Sequence, residues 1–255
     1  SWSRASHRGE RGGMRHERLI AAGAVVALAA ANPAWAQQPL PADLTAGGEG
    51  GYVRLLLLFA SVSLAPALLA VATSFARIIV VLLFLRAGMG TQEIPPTYVL
   101  IGLAILLTVI AMLPTLQPAW RDAVGPLLAG EIELAEAAER AEGPLREFLG
   151  RQVRPADLEL MARLTQLDPA PTAEEAPISV LTAAFAISEL RAAFLIGFII
   201  YLPFIVIDLV VGSTLASIGM LSLPAPLLAV PFKILLFVMV DGWALITEAL
   251  VQTIR

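Results

Sequence analysis

Four runs of apolar residues, at 53–85, 98–116, 194–211 and 223–240, set the first limit on how this chain folds. The last three are each close to the roughly 20 residues that carry a helix across the hydrocarbon of a bilayer. The first is too long for one straight span, and Arg54, Pro66 and Arg77 interrupt it. Its expected breaks are Pro66 and the Thr73-Ser74 pair. Proline removes a backbone donor, and threonine or serine can cap a new helix. No run shows the apolar–polar alternation of a half-buried strand. The chain is 58% hydrophobic and 15% charged, against about 25% charged in an average soluble domain. That leaves too little polar surface to enclose the apolar residues in water. The expected fold class is all-α: an integral membrane protein of helical hairpins with a small helical extramembrane insertion.

The N-terminal segment reads as an address. Residues 1–13 are upstream sequence, and Met14 is the expected start. Arg15, His16 and Arg18 precede an apolar run at 19–31, and Ala34-Trp35-Ala36 follows. That order is a secretory signal peptide with Ala34 and Ala36 as its cleavage signature. The apolar run is too short to remain as an anchor. The expected organisation is residues 1–36 as upstream sequence and signal peptide, 37–51 as a flexible leader, and 52–116 as N-terminal membrane helices. Residues 117–180 then form a helical periplasmic region, and 181–255 the C-terminal membrane helices.

Residues 117–180 hold six arginines and twelve acidic residues. Charged and apolar positions recur there at helical spacing over 131–142, 145–149 and 158–167, the mark of amphipathic helices. Gly143-Pro144, Pro155 and Asp168-Pro169-Ala170-Pro171 are the expected boundaries. An exported N-terminus puts loop 86–97 inside and 117–180 outside, as the positive-inside rule prefers.

The side-chain inventory excludes several chemistries. There is no cysteine, and the only histidines are His7 and His16 near the N-terminus. A net charge of −4 gives no basic footprint for nucleic acid. No catalytic, cofactor-binding or metal-binding residue is expected. Charges within apolar segments are costly, and mark function or contact. Here they are Arg77, Glu189, Arg191, Asp208, Lys233, Asp241 and Glu248. Arg77, Glu189 and Arg191 fit helix ends, where long side chains reach the interface. Lys233 is the only lysine, central in its block. Asp241 follows about 12 Å later by helical rise, on roughly the same face, so each needs a partner on another helix or subunit. Asp208 and Asp241 form a nominal carboxylate pair with nothing around it to suggest a protease. An ion-coupled transporter is a further reading. Gly219, Met220 and Leu221, with Pro224 and Pro226, break blocks three and four apart. The break suits either a channel constriction or a plain turn.

Several of these segments resemble one family. The segment Pro231-Phe232-Lys233-Ile234-Leu235-Leu236-Phe237-Val238-Met239-Val240-Asp241-Gly242-Trp243 resembles the C-terminal signature of the FliP family, core subunits of the flagellar type III export gate. Thr73-Ser74-Phe75-Ala76-Arg77-Ile78, Gly90-Thr91-Gln92 and Pro95-Pro96 are similar to its first signature. So are Ile187-Ser188-Glu189-Leu190-Arg191 and Ile196-Gly197-Phe198, while Pro144-Leu145-Arg146-Glu147-Phe148 and Ala156-Asp157-Leu158 match its extramembrane region. The resemblance runs in order over about residues 50–250.

The resemblance implies a non-enzymatic subunit of the bacterial inner membrane. Five copies would join FliQ and FliR in a helical ring, working with FlhA and FlhB, to pass unfolded flagellar subunits. It also implies hairpins lying largely above the membrane plane. Arg77, Glu189, Arg191, Asp208, Lys233, Asp241 and Trp243 are then assembly contacts. Met220, Leu221 and Ser222 are pore or gate residues. That loop departs from the family's usual run of methionines by keeping only Met220. Leu195 replaces a commonly polar residue, and Leu223-Pro224-Ala225-Pro226 separates prolines that are commonly adjacent. The alternative within the family is an injectisome homologue, which typically lacks a signal peptide.

Overall fold

The computed structural model describes residues 63, 70–91, 94–167, 171–220 and 222–254. Ala34, Ala36, Pro66 and the gate candidate Leu221 lie outside the described residues, as does about half of the first apolar block. The chain divides into two compact units, Ser1–Leu64 and Ala65–Arg255, and every helix named here lies in the second. Among the described residues the secondary structure is helical with no strand, the all-α class that the sequence predicts.

Helix α1, Phe75–Met89, begins at one of the expected breaks. The Phe75 N–H donates to Thr73 Oγ1 at 3.3 Å, and the chain turns at Thr73-Ser74. It ends at Gly90, whose φ of 74° is the left-handed cap that glycine adopts without a Cβ penalty. Helix α2, Thr97–Ala119, passes through one π-helical turn, Trp120–Val124, into the short α3, Gly125–Leu128. Pro114 and Pro118 lie inside α2 and do not stop it. Each removes only one backbone donor, so the apolar helix runs on to Leu128, beyond the boundary expected at 116.

Helices α4, Leu134–Gln152, and α5, Pro155–Leu164, follow. The sequence predicts a boundary at Gly143-Pro144, yet α4 runs straight through it. Proline deprives one carbonyl, that of Arg140, of its donor. Contacts across the site hold the helix: Arg146 pairs with Glu142 at 2.6 Å and donates to the Ala176 carbonyl at 2.6 Å. Pro155 does open a helix, at a first-turn position where its missing N–H costs nothing.

Helix α6, Ile178–Ser217, is 40 residues long. At 1.5 Å per residue it spans about 60 Å, twice the roughly 30 Å of bilayer hydrocarbon. The third apolar block, 194–211, is therefore only its middle. Its first half packs inward through Leu181, Ala184, Phe185 and Ala193, all 0% exposed. Beyond Ala193 it turns large apolar side chains outward, among them Phe194, Phe198, Leu202, Val206 and Leu209. Helices α7, Ala225–Met239, and α8, Gly242–Ile254, meet at a 63° bend. By length and composition, Thr97–Leu128 and Ile178–Ser217 can each cross a membrane, with α7 and α8 a third span if the bent pair counts as one.

Helices α1 and α6 pack closely and run in the same direction, Arg77 facing Glu189 and Phe84 facing Gly197. Two glycines permit the approach. A Cβ on Gly197 would lie 2.6 Å from Phe84 Cδ2, and one on Gly88 2.5 Å from Phe204 Cδ2. Real Cβ atoms do not come so near, and a close-packed interior yields little. Gly197→Ala is expected to destabilise the protein by about 1–3 kcal/mol, the usual cost of overpacking. Thermal unfolding of the purified variant checks this.

Candidate functional site

Three polar clusters lie along α6, and each joins it to a different part of the fold. The first is Arg77 with Glu189. Arg77 is 4% exposed and Glu189 0%, so neither snorkels to an interface as the sequence suggests. One turn into α1, the Arg77 side chain crosses to α6, and Nη2 donates to Glu189 Oε1. Nη2 also donates to Gln152 Oε1 at the end of α4, at 3.0 Å. Nη1 donates to the Thr253 carbonyl in the last turn of α8, at 3.0 Å. Gln152 Nε2 reaches the Ile254 carbonyl at 2.8 Å. One guanidinium thus ties four helices together and, with Gln152, satisfies two carbonyls at a helix end, which otherwise lack donors.

The second cluster joins α5 to α6. Asp157, 2% exposed, accepts from Ser188 Oγ at 2.8 Å and from Arg191 Nη2 at 3.0 Å. Ser188 Oγ in turn accepts from the Arg154 N–H at 3.1 Å. Arg191 keeps its side chain 55% exposed while anchoring this carboxylate. Sequence reasoning singled out neither Asp157 nor Ser188 as a contact residue, and it passed over Gln152. A signal was present for Asp157. It sits beside Leu158 and is near Ala162, both buried, so an acid falls on the inward face of an amphipathic helix.

The third cluster holds the only lysine. Lys233 on α7 is 2% exposed, and its Nζ donates to Asp208 Oδ2 on α6 at 2.7 Å. The ammonium also lies beside the carbonyl end of α1, 3.5 Å from where a Cβ on Gly90 would stand. A helix C-terminus carries partial negative charge, which favours a cation there.

The structure separates other residues that the sequence groups. Lys233 and Asp241 do not share a helix face. Asp241 has φ 49°, outside the helical range, and α7 has ended at Met239. The Phe237 ring packs over Gly242 and edge-on to Trp243 at 5.3 Å, filling the inside of the bend. Asp241 is exposed and makes no ion pair among the described residues. Trp243 is 41% exposed. Glu248, also exposed, accepts from Gln252 at 2.8 Å. Met220 and Ser222 are exposed in the turn between α6 and α7, where Gly219 adopts φ 80°.

The FliP family model matches residues 58–250, which takes in the polar side chains of all three clusters and the α6–α7 turn. The chain belongs to the FliP family. Relatives named "Flagellar biosynthetic protein FliP" align along most of their own length. The Bacillus subtilis protein is 46% identical over 201 residues, 79% of this chain and 91% of that one. The Caulobacter vibrioides protein is 47% identical over 203 residues, 80% and 76% of the two chains. The Pectobacterium carotovorum protein is 42% identical over 223 residues, 86% of each. Within this FliP-family chain, each cluster fastens α6 to a neighbouring helix of the same subunit, while the apolar face beyond Ala193 stays open.

Proposed function

We propose that this chain is a channel-forming subunit of the flagellar type III protein export gate, which passes unfolded rod, hook and filament subunits across the bacterial inner membrane. The observation that carries this reading is the match over residues 58–250 together with relatives named as flagellar biosynthetic proteins. The fold supports it. The outward face of α6 and α7 exposes Phe198, Leu202, Val206, Leu209, Phe232 and Leu235, an apolar surface too extensive to face water. In this reading several copies pack with FliQ and FliR into a pentamer-based ring, FlhA and FlhB acting beside it. Met220 and Ser222, at the tip of the α6–α7 hairpin, line the closed path together with Leu221. Asp241 and Trp243, exposed at the α7–α8 bend, contact neighbouring subunits, and residues 117–180 face the periplasm after removal of the signal peptide at Ala34–Ala36.

Deleting the gene is expected to abolish filaments and motility, with both restored by the intact gene in trans. Normal filaments in the deletion strain would overturn the reading. Intact filaments with lost secretion of non-flagellar effectors would assign the chain to an injectisome instead.

A further inference from the structure

The bend between α7 and α8 turns on one residue. Asp241 has φ 49°, in the left-handed region that L-residues seldom adopt and that asparagine and aspartate tolerate better than most. Its N–H donates to the Val238 carbonyl at 3.2 Å, in the last turn of α7. A left-handed residue just beyond the C-cap is a common way to end a helix, and the C-cap here is Val240. The Asp241 carbonyl accepts from the Leu245 N–H at 3.1 Å, one helical turn into α8. Asp241 therefore also holds the N-cap position of α8, where aspartate and asparagine are preferred and alanine is poor. One residue ends one helix and begins the next, with no loop between them.

The neighbours fix the angle. Gly242 follows at once, and a Cβ there would overlap the Phe237 ring. Helix α8 then carries Gly242, Ile246, Leu250 and Ile254 as one buried stripe at a spacing of four. Its 13 residues reach about 20 Å. A change of about 10° at the bend would move the far end by roughly 3 Å, the length of a hydrogen bond. That end bears the Thr253 and Ile254 carbonyls, which accept from Arg77 and Gln152. The Asp241 carboxylate, by contrast, is exposed and forms no ion pair among the described residues.

We propose that Asp241 is a positioning residue whose backbone conformation, and not its charge, sets the 63° bend that brings the end of α8 onto Arg77 and Gln152. The side chain at 241 must allow a left-handed backbone and suit the start of a helix. Asparagine and glycine meet both demands, and alanine and glutamate meet neither. This role belongs to the folded chain itself and is independent of the export reading.

Asp241→Asn keeps the conformation and removes the charge, and Asp241→Glu does the reverse. In the detergent-solubilised full-length protein, Asp241→Asn and Asp241→Gly are expected to hold the thermal midpoint within about 2 °C. Asp241→Ala and Asp241→Glu are expected to lower it by about 4–6 °C. Amide exchange over residues 242–254 is expected to quicken in Asp241→Glu and to stay unchanged in Asp241→Asn. If Asp241→Glu fails to fold while Asp241→Asn folds, the expected order holds in its extreme form. A midpoint kept by Asp241→Glu and lost by Asp241→Asn would show that the charge acts, and would overturn the proposal. Equal midpoints in the two would also overturn it, as would an Asp241→Asn or Asp241→Gly chain that does not fold.

Discussion

Replacing Arg77 with alanine is expected to destabilise this protein by about 3–5 kcal/mol. The loss comes from what stays behind. Glu189 is 0% exposed, and without the guanidinium its charge has no counter-ion within the fold. Gln152 and the Thr253 carbonyl lose a charged donor at the same time. Typical domains are stable by only about 5–15 kcal/mol, so one substitution removes a large share of the total. Chemical unfolding of the detergent-solubilised protein measures it. Because the pair is buried, the loss is expected to change little with salt, unlike that of a surface pair. The double variant Arg77→Met with Glu189→Leu separates the effects. Replacing both charges with apolar groups removes the penalty of the stranded partner, so the double variant is expected to be more stable than either single one. An Arg77→Ala loss below about 1 kcal/mol, the range of surface pairs, would show that this is not a buried bridge.

Asp208→Ala is expected to be the second large loss, about 3 kcal/mol, at the lower end for a broken buried pair. Lys233 is 2% exposed, and the substitution leaves its ammonium within an apolar segment with no anion. Lys233→Met is expected to cost clearly less. Methionine keeps the length of the apolar stem, and the stranded Asp208 side chain is 31% exposed in the single chain, so the fold encloses it less completely than it encloses the ammonium. The two halves of one ion pair therefore differ in the cost of their removal. Unfolding of both variants, compared with the Asp208→Ala/Lys233→Met double variant, checks the order. Equal losses for the two single variants would contradict it.

Much of the fold is legible before any coordinates. Long apolar stretches with few charges demand helices in a membrane, because the backbone must satisfy its own hydrogen bonds there. The break at Thr73-Ser74 follows from local chemistry. Boundaries that depend on packing are less legible. Pro144 looks like a stop, and a lone proline costs about 3 kcal/mol in a helix. Arg146, bonded to both Glu142 and the Ala176 carbonyl, holds the helix across it. That partner lies 30 residues away in sequence, so no local pattern reveals it.

The charged residues divide in the same way. Their cost within apolar segments singles out Arg77, Glu189, Asp208 and Lys233 from the sequence alone. It does not say which pairs with which. Lys233 and Asp241 look as if they share one helix face by helical spacing, but Asp241 sits at φ 49° at the foot of a 63° bend. The ring of Phe237, packed over Gly242, fills that bend. Composition and periodicity by themselves determine an all-α membrane protein, and the order of its motifs places it in the FliP family. Only the tertiary structure decides that Arg77 meets Glu189, Arg191 meets Asp157 and Lys233 meets Asp208. The physical reason is range. Helix formation and membrane partitioning depend on neighbours within a few turns, whereas the partner of a buried charge depends on which distant helix packs against it.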